Sequence, residues 1–170
     1  MSTYPSDEVL NSLGQSGYAL GYQLLHNHQD AEDMTQESLS ILVRKWDTFD
    51  SSRASVKTWF LTIVRNRAID QIRKKKPQIL QETVERSNDL HTPTPDQQAE
   101  TSELRQSVRN AIESLPREQR ELILLRDYHG LKYAEIASML DIPIGTVMSR
   151  LSRVRNQLRQ DLFKLQGTES

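Results

Sequence analysis

The chain contains no cysteine. This excludes a disulfide framework, a thiol nucleophile, a Cys-ligated zinc site and direct thiol-based redox sensing. Aromatic residues are scarce, at 6% of 170 residues. A chain of that length allows one domain or two small ones, built as compact helical units rather than around a large aromatic core. No apolar run approaches the ~20 residues that a membrane span needs. The opening M-S-T-Y-P-S-D-E is polar and acidic, unlike a signal peptide, so a cytosolic protein is expected. There is no glycine-rich phosphate loop and no G-x-S-x-G elbow. Strand-like alternation and internal repeats are also lacking, which leaves an all-α fold.

Basic residues are missing from one part of the chain. No Lys or Arg precedes Arg44, whereas Asp7, Glu8, Asp30, Glu32, Asp33 and Glu37 all do. The net charge of -1 therefore hides a strong asymmetry. Arg65, Arg67, Arg73, Lys74, Lys75 and Lys76 follow in one stretch against only Asp70, and Arg150, Arg153, Arg155 and Arg159 form a second basic zone. Two basic patches apart in sequence suggest two nucleic-acid contacts. The acidic front end suggests a basic protein partner or simple solubility.

The most informative stretch runs from Tyr133 to Leu158. Its spacing predicts a helix over 133–140, a turn at Asp141, Ile142 and Pro143, and a second helix from Ile144 past Val154. Val147, Leu151, Val154 and Leu158 recur at i, i+4, i+7 and i+11 and share one face. Ser149, Ser152, Arg153 and Asn156 fall on the opposite face. A packed apolar face with a small, polar, cationic outer face suits the DNA major groove. A basic helix is often just a solvated surface helix; the preceding helix, short turn and outward serines favour a DNA-reading helix-turn-helix.

Upstream, residues 18–26 are expected to form a short helix. Asp30 or a neighbour caps the next, with Glu32 and Asp33 in its first turn and Met34, Leu39, Leu42 and Trp46 facing inward. The Asp- and Ser-rich segment 47–55 reads as a loop. Ser55 is placed to cap a long helix from Val56 to about Lys75, with Val56, Trp59, Phe60, Ile63 and Val64 on the helical template and Leu61, Val64, Ala68 and Ile72 continuing it. Its first half is apolar and its end basic. The aromatics Trp46, Trp59 and Phe60 suit a core, yet a basic helix beside such a loop also suits unpaired DNA, which binds through cationic tracks and stacking platforms. Asn66 can offer a base edge both a donor and an acceptor. Pro77, Pro93 and Pro95 mark a linker over 77–101. A helix resumes near Glu103, with Leu104, Val108, Ala111, Ile112 and Leu115 inward. Pro116 suits the first turn of another, with Leu122, Ile123 and Leu125 buried and Gly130 as its C′ residue. The organisation is a first domain over 1–76, the linker, and a second over 102–170.

Several of these motifs, taken in order, resemble the bacterial RNA polymerase sigma factors of the extracytoplasmic-function (ECF) group. They are Asp30-Ala31-Glu32-Asp33 with Gln36-Glu37; Trp59 to Arg73; Leu115-Pro116 with Arg120; Glu135-Ile136-Ala137; and Gly145-Thr146-Val147 with Ser149-Arg150. The resemblance covers nearly the whole chain, from about Gly17 to Leu165. It implies a non-enzymatic protein of the bacterial cytoplasm, without catalytic residues, cofactor or metal. Its first domain is expected to dock on the beta-prime clamp helices of core RNA polymerase through Asp30, Glu32, Asp33, Gln36 and Glu37. The loop Asp50, Ser51, Ser52, Arg53 to Ser55 matches the one that captures a flipped minus-10 base. Asn66 matches a position that contacts the melted strand, and Arg73, Lys74 and Lys75 follow it. The second domain is expected to read the minus-35 element as duplex. Met148, Ser149, Ser152 and Arg153 match base-facing positions, and Arg150 and Lys132 are better placed for phosphates. The beta flap and an anti-sigma factor, often membrane-bound, are further implied partners.

Three positions depart from the family pattern. Lys132 stands where a capping Ser or Thr is usual, omitting a cap that contributes ~1 kcal/mol. Asp141 occupies a turn position where Gly is usual, although Asp tolerates the left-handed conformation better than most residues. Met148 and Ser152 replace the Arg or aromatic of some members, which affects the minus-35 sequence. Two other readings account for parts of the chain. Gly130 to Ala137 matches the G-L-x-Y-x-E-I-A of response-regulator DNA-binding modules, but such regulators carry a receiver domain that does not fit here. His26, His28 and Asp30 suggest a metal site, but at i, i+2 the two histidines share no helix face.

Overall fold

The computed structural model describes residues 4–75 and 99–167. The chain divides into two compact units, Met1–Val84 and Glu85–Ser170. Among the described residues there are seven α-helices and no strand.

The first unit holds three helices. Helix α1 spans Asp7–Leu25, α2 spans His28–Arg44 and α3 spans Val56–Lys75, with a single 3-10 turn at Trp46–Thr48. Each of the three packs against the other two. Leu13, Leu20, Leu24, Ala31, Met34, Leu42, Phe60, Leu61, Val64 and Ala68 form the core.

Helix α1 begins far earlier than the short 18–26 helix expected from sequence. Ser6 caps it, its side chain accepting from the Val9 N–H at 3.4 Å. Asn11, Ser12, Gly14, Ser16 and Gly17 make this half a poor helix by propensity, and tertiary packing overrides that. At Gly17 a built Cβ would lie 2.6 Å from Cε1 of Phe60, whose ring is fully buried. The glycine is what lets α1 approach α3 this closely. Helix α1 ends at His26 in the left-handed region at φ 53°.

Asn27, the neighbour rather than Asp30 itself, caps α2, accepting from the Asp30 N–H at 2.9 Å. Because the helix starts at His28, Asp30 lies in its first turn, and Glu32 and Asp33 lie beyond it. Leu39 is only half-buried, while Ser38, not expected in the core, is fully buried. Helix α3 has the expected bounds, and Ser55 accepts from the Thr58 N–H at 3.1 Å. Its buried face is Phe60, Leu61, Val64 and Ala68, whereas Val56, Trp59, Ile63 and Ile72 are half-buried. Two overlapping stripes of one helix cannot both face the same neighbours.

The second unit holds α4 (Ala99–Glu113), α5 (Arg117–Ile123), α6 (Tyr133–Leu140) and α7 (Ile144–Gln166). The expected linker lies outside the described residues except for 99–101, which are helical. Leu104, expected inward, is 50% exposed. Periodicity identifies an apolar face but not how far the neighbouring helix extends along it. Pro116 is the N-cap of α5 rather than its first helical residue. A π-helical turn, Leu124–Tyr128, extends α5. Its widened turn closes with a 2.9 Å bond from His129 N to Leu124 O, and Gly130 then takes φ 74°. The core comprises Ala111, Leu115, Leu122, Ile123, Leu125, Leu131, Ile136, Met139, Val147, Leu151 and Val154.

Candidate nucleic-acid and polymerase interfaces

Helices α6 and α7 form the helix-turn-helix at the expected residues. Asp141 sits at φ 53° and ends α6, and Ile142 N donates to Ala137 O at 3.1 Å. Pro143 starts α7, its carbonyl accepting from Thr146 N at 2.9 Å and Val147 N at 3.2 Å. Val147, Leu151 and Val154 are buried, and Leu158 is half-buried. Met148, Ser149, Arg150, Ser152, Arg153 and Asn156 are all exposed. Neither Arg150 nor Arg153 has an ion-pair partner among the described residues. The Ser149 hydroxyl donates to Thr146 O at 3.2 Å, which leaves its lone pairs to accept from a base edge.

Lys132 is exposed ahead of α6, and only half of a capping box forms there. The Glu135 carboxylate accepts from the Lys132 N–H at 2.8 Å. The Lys ammonium has no lone pair to return to the helix, so its charge stays outward. Arg155 differs from its neighbours, with its guanidinium bonded to Asp127. That carboxylate holds the Arg155 guanidinium above its ordinary value, and Arg155 in turn lowers the Tyr133 phenol.

In the first unit, Asp50, Ser51, Ser52 and Arg53 are exposed in the loop before α3. The Asp50 carboxylate accepts from the Ser52 N–H at 2.9 Å and the Ser52 hydroxyl at 2.6 Å. These two bonds hold the carboxyl below its usual range. Arg53 N donates to Asp50 O at 3.1 Å and closes the turn. Under this loop lies an aromatic cluster that sequence reasoning saw only in part. Phe49 stacks on both Trp46 and Trp59, with centroids 5.2 and 5.1 Å away, the two tryptophans lie 6.2 Å apart, and Tyr4 meets Trp46 edge-on at 5.7 Å. Phe60 is core, Trp46 is buried, and Trp59 and Phe49 are half-buried. Phe49 was the missed residue; its signal was an aromatic inside an Asp- and Ser-rich loop. Asn66 is exposed on α3, and Arg73 follows at i+7 on the same face.

The acidic and basic groups of this unit were assigned from sequence to separate surfaces, but two pairs of them meet. Lys75 Nζ lies 2.5 Å from Asp30 Oδ2, and Arg67 is ion-paired with Glu37. Glu32, Asp33 and Gln36 line a groove between α1 and α2 with Leu10, Gly14, Tyr18 and Leu39. His28 Nδ1 is 2.5 Å from the Tyr18 hydroxyl. Among the described residues no group of three His, Cys, Asp or Glu could hold a metal ion, and no helix is long and apolar enough to cross a membrane.

These features match two family models. Residues 11–78 match sigma-70 region 2, and residues 105–158 match sigma-70 region 4. The class defined is therefore a two-region sigma-70-type factor. Curated relatives narrow it. SigW of Bacillus subtilis, an ECF RNA polymerase sigma factor, is 34% identical over 157 residues, covering 87% of this chain and 83% of that one. RpoE of Cereibacter sphaeroides, also an ECF sigma factor, is 37% identical over 139 residues, covering 78% and 72%. SigE of Mycolicibacterium smegmatis is 34% identical over 161 residues, and this chain spans 62% of its length. Among solved structures, RpoE of Bartonella quintana, in complex with the anti-sigma factor NepR, superposes with a TM-score of 0.74 at 30% identity, covering 92% of this chain and 95% of that one. The chain belongs to the ECF RNA polymerase sigma factors, which are transcription-initiation factors rather than classical enzymes.

Proposed function

We propose that this sigma factor, with no catalytic activity of its own, binds core RNA polymerase in the bacterial cytoplasm and directs it to promoters by a minus-35 and a minus-10 element. The observation that carries this reading is the division of α7. Val147, Leu151 and Val154 are buried, Ser149, Ser152 and Arg153 are exposed opposite them, and Met148 is exposed on the flank. That outward face is the minus-35 reader, with Arg150 and Lys132 on phosphates. Asp50, Ser51, Ser52, Arg53 and Asn66 act on the melted minus-10 strand, and Arg73, Lys74 and Lys75 supply its cationic track. Asp30, Glu32, Asp33, Gln36 and Glu37 dock on the beta-prime clamp helices, and the second unit engages the beta flap. A protein of the anti-sigma class, membrane-bound in many systems, holds the factor inactive. The likeness to a sigma factor bound to NepR supports that last point.

The test is run-off transcription by core polymerase on a genomic promoter pool, with and without the chain. Starts that depend on the chain and share two upstream elements are expected. Starts with no shared element would contradict promoter recognition.

A further inference from the structure

The basic zone of α7 contains two kinds of arginine. Arg150 and Arg153 are exposed, whereas Arg155 is half-buried and forks onto Asp127, with Nη2 to Oδ1 at 2.6 Å and Nε to Oδ2 at 3.3 Å. A two-point guanidinium–carboxylate contact fixes direction as well as distance. At about 100° per residue, Arg155 lies on the shoulder of the stripe formed by Val147, Leu151 and Val154. Ser149, Ser152 and Arg153 lie farther round, on the outward face.

Asp127 belongs to the π-helical turn Leu124–Tyr128, and single π turns are often found at functional positions. The same turn is tied to the start of α6. The Arg126 guanidinium lies 4.6 Å above the Tyr133 ring, and its Nη1 donates to Leu131 O at 2.8 Å. Arg155 also holds the Tyr133 phenol below its ordinary value. Four side chains thus join the π turn, the first residue of α6 and the middle of α7. Both ends of the Arg155–Asp127 pair are partly exposed, at 37% and 45% of the side chain. Such a pair adds little stability, so its contribution is geometric.

We propose that Arg155 is a positioning residue for minus-35 reading: its fork on Asp127 sets the angle at which α7 presents Met148, Ser149, Ser152 and Arg153, and it does not serve as a phosphate contact. This rests on the assignment of α7 as the minus-35 reader.

The test uses the full chain with core polymerase on promoters taken from the run-off starts, with matched and singly mismatched minus-35 elements across a salt series. The variants are Arg155→Gln, Asp127→Asn and both together. Each single change should lower the matched-to-mismatched affinity ratio by roughly 3- to 10-fold, a fraction of what one mismatch costs. The double variant should be no worse than either single one, because both remove one contact. The salt slope and the thermal midpoint should stay at the wild-type values. Asp127→Asn is decisive because it removes no positive charge. The proposal is overturned if Arg155→Gln weakens all sites equally with a salt slope smaller by about one while Asp127→Asn has no effect, since Arg155 is then a phosphate clamp. An unchanged ratio in both single variants overturns it too, as does a ratio that falls only with the thermal midpoint. Wild-type holoenzyme that fails to discriminate would instead contradict the assignment of α7.

Discussion

Lys75 at the end of α3 places its ammonium 2.5 Å from the carboxylate of Asp30 at the start of α2. Arg67 and Glu37 make a second link between the same helices. Residues of the first basic stretch thus neutralise residues proposed for polymerase. Exposed pairs of this kind contribute ~0–1 kcal/mol each, so a partner with a denser charge can displace either side.

That pairing decides which docking variants are clean. Asp33 is exposed, and among the described residues its carboxylate accepts only a neutral bond from the Gln29 amide, at 2.9 Å. Asp33→Lys should weaken binding to core polymerase without lowering the thermal midpoint of the first unit. Glu37→Lys should weaken it as well; its control is Arg67→Ala, which breaks the same ion pair and leaves the acidic group in place. Polymerase titration of labelled protein measures this. Unchanged affinity in both charge-reversal variants would show that α2 does not dock there.

Asn66 should act on melted DNA. Asn66→Ala is expected to slow open-complex formation on a duplex promoter and to leave minus-35 binding intact. A pre-melted minus-10 bubble should restore part of the loss, because unstacking a base costs a few kcal/mol. Equal defects on duplex and bubble templates, or none on either, would contradict the assignment.

Two glycines of α1, one facing α3 and one facing α2, give a stability test with opposite signs. Gly17→Ala puts a Cβ 2.6 Å from the buried Phe60 ring. Overpacking of ~1–3 kcal/mol should exceed the propensity gain of ~1 kcal/mol. At Gly14 the nearest atom would be Leu39 Cδ1 at 3.7 Å, an ordinary contact, so Gly14→Ala should stabilise. Phe60→Ala should cost ~3–5 kcal/mol. Trp59→Ala should cost less, since Trp59 is half-buried rather than core. Thermal unfolding of the full chain measures all four.

How much was legible depended on which force set each feature. The ends of α3 and α6 could be read because local chemistry sets them: Ser55 caps one, and Asp141 turns the chain at the end of the other. The outward face of α7 followed from periodicity alone. The first half of α1 could not be read, because its glycines matter only once Phe60 is packed against them. Nor could the π turn, which no residue pattern announces, and with it the pairing of Asp127 with Arg155. Phe49 was passed over because its importance lies in the ring stack with Trp46 and Trp59, three elements that meet only in the fold.

The central claim is that the outward face of α7 reads minus-35 bases. Arg153 is the residue that tests it, because arginine makes bidentate bonds to guanine O6 and N7 in the major groove. The measurement is holoenzyme affinity for matched and mismatched minus-35 sites across a salt series, with Arg153→Ala and Lys74→Ala compared. Lys74→Ala should weaken all promoters alike and reduce the salt slope by about one. Arg153→Ala should cost ~1–3 kcal/mol on the matched site and relax preference at one or two base pairs. Equal weakening of every site by Arg153→Ala would contradict base reading by Arg153.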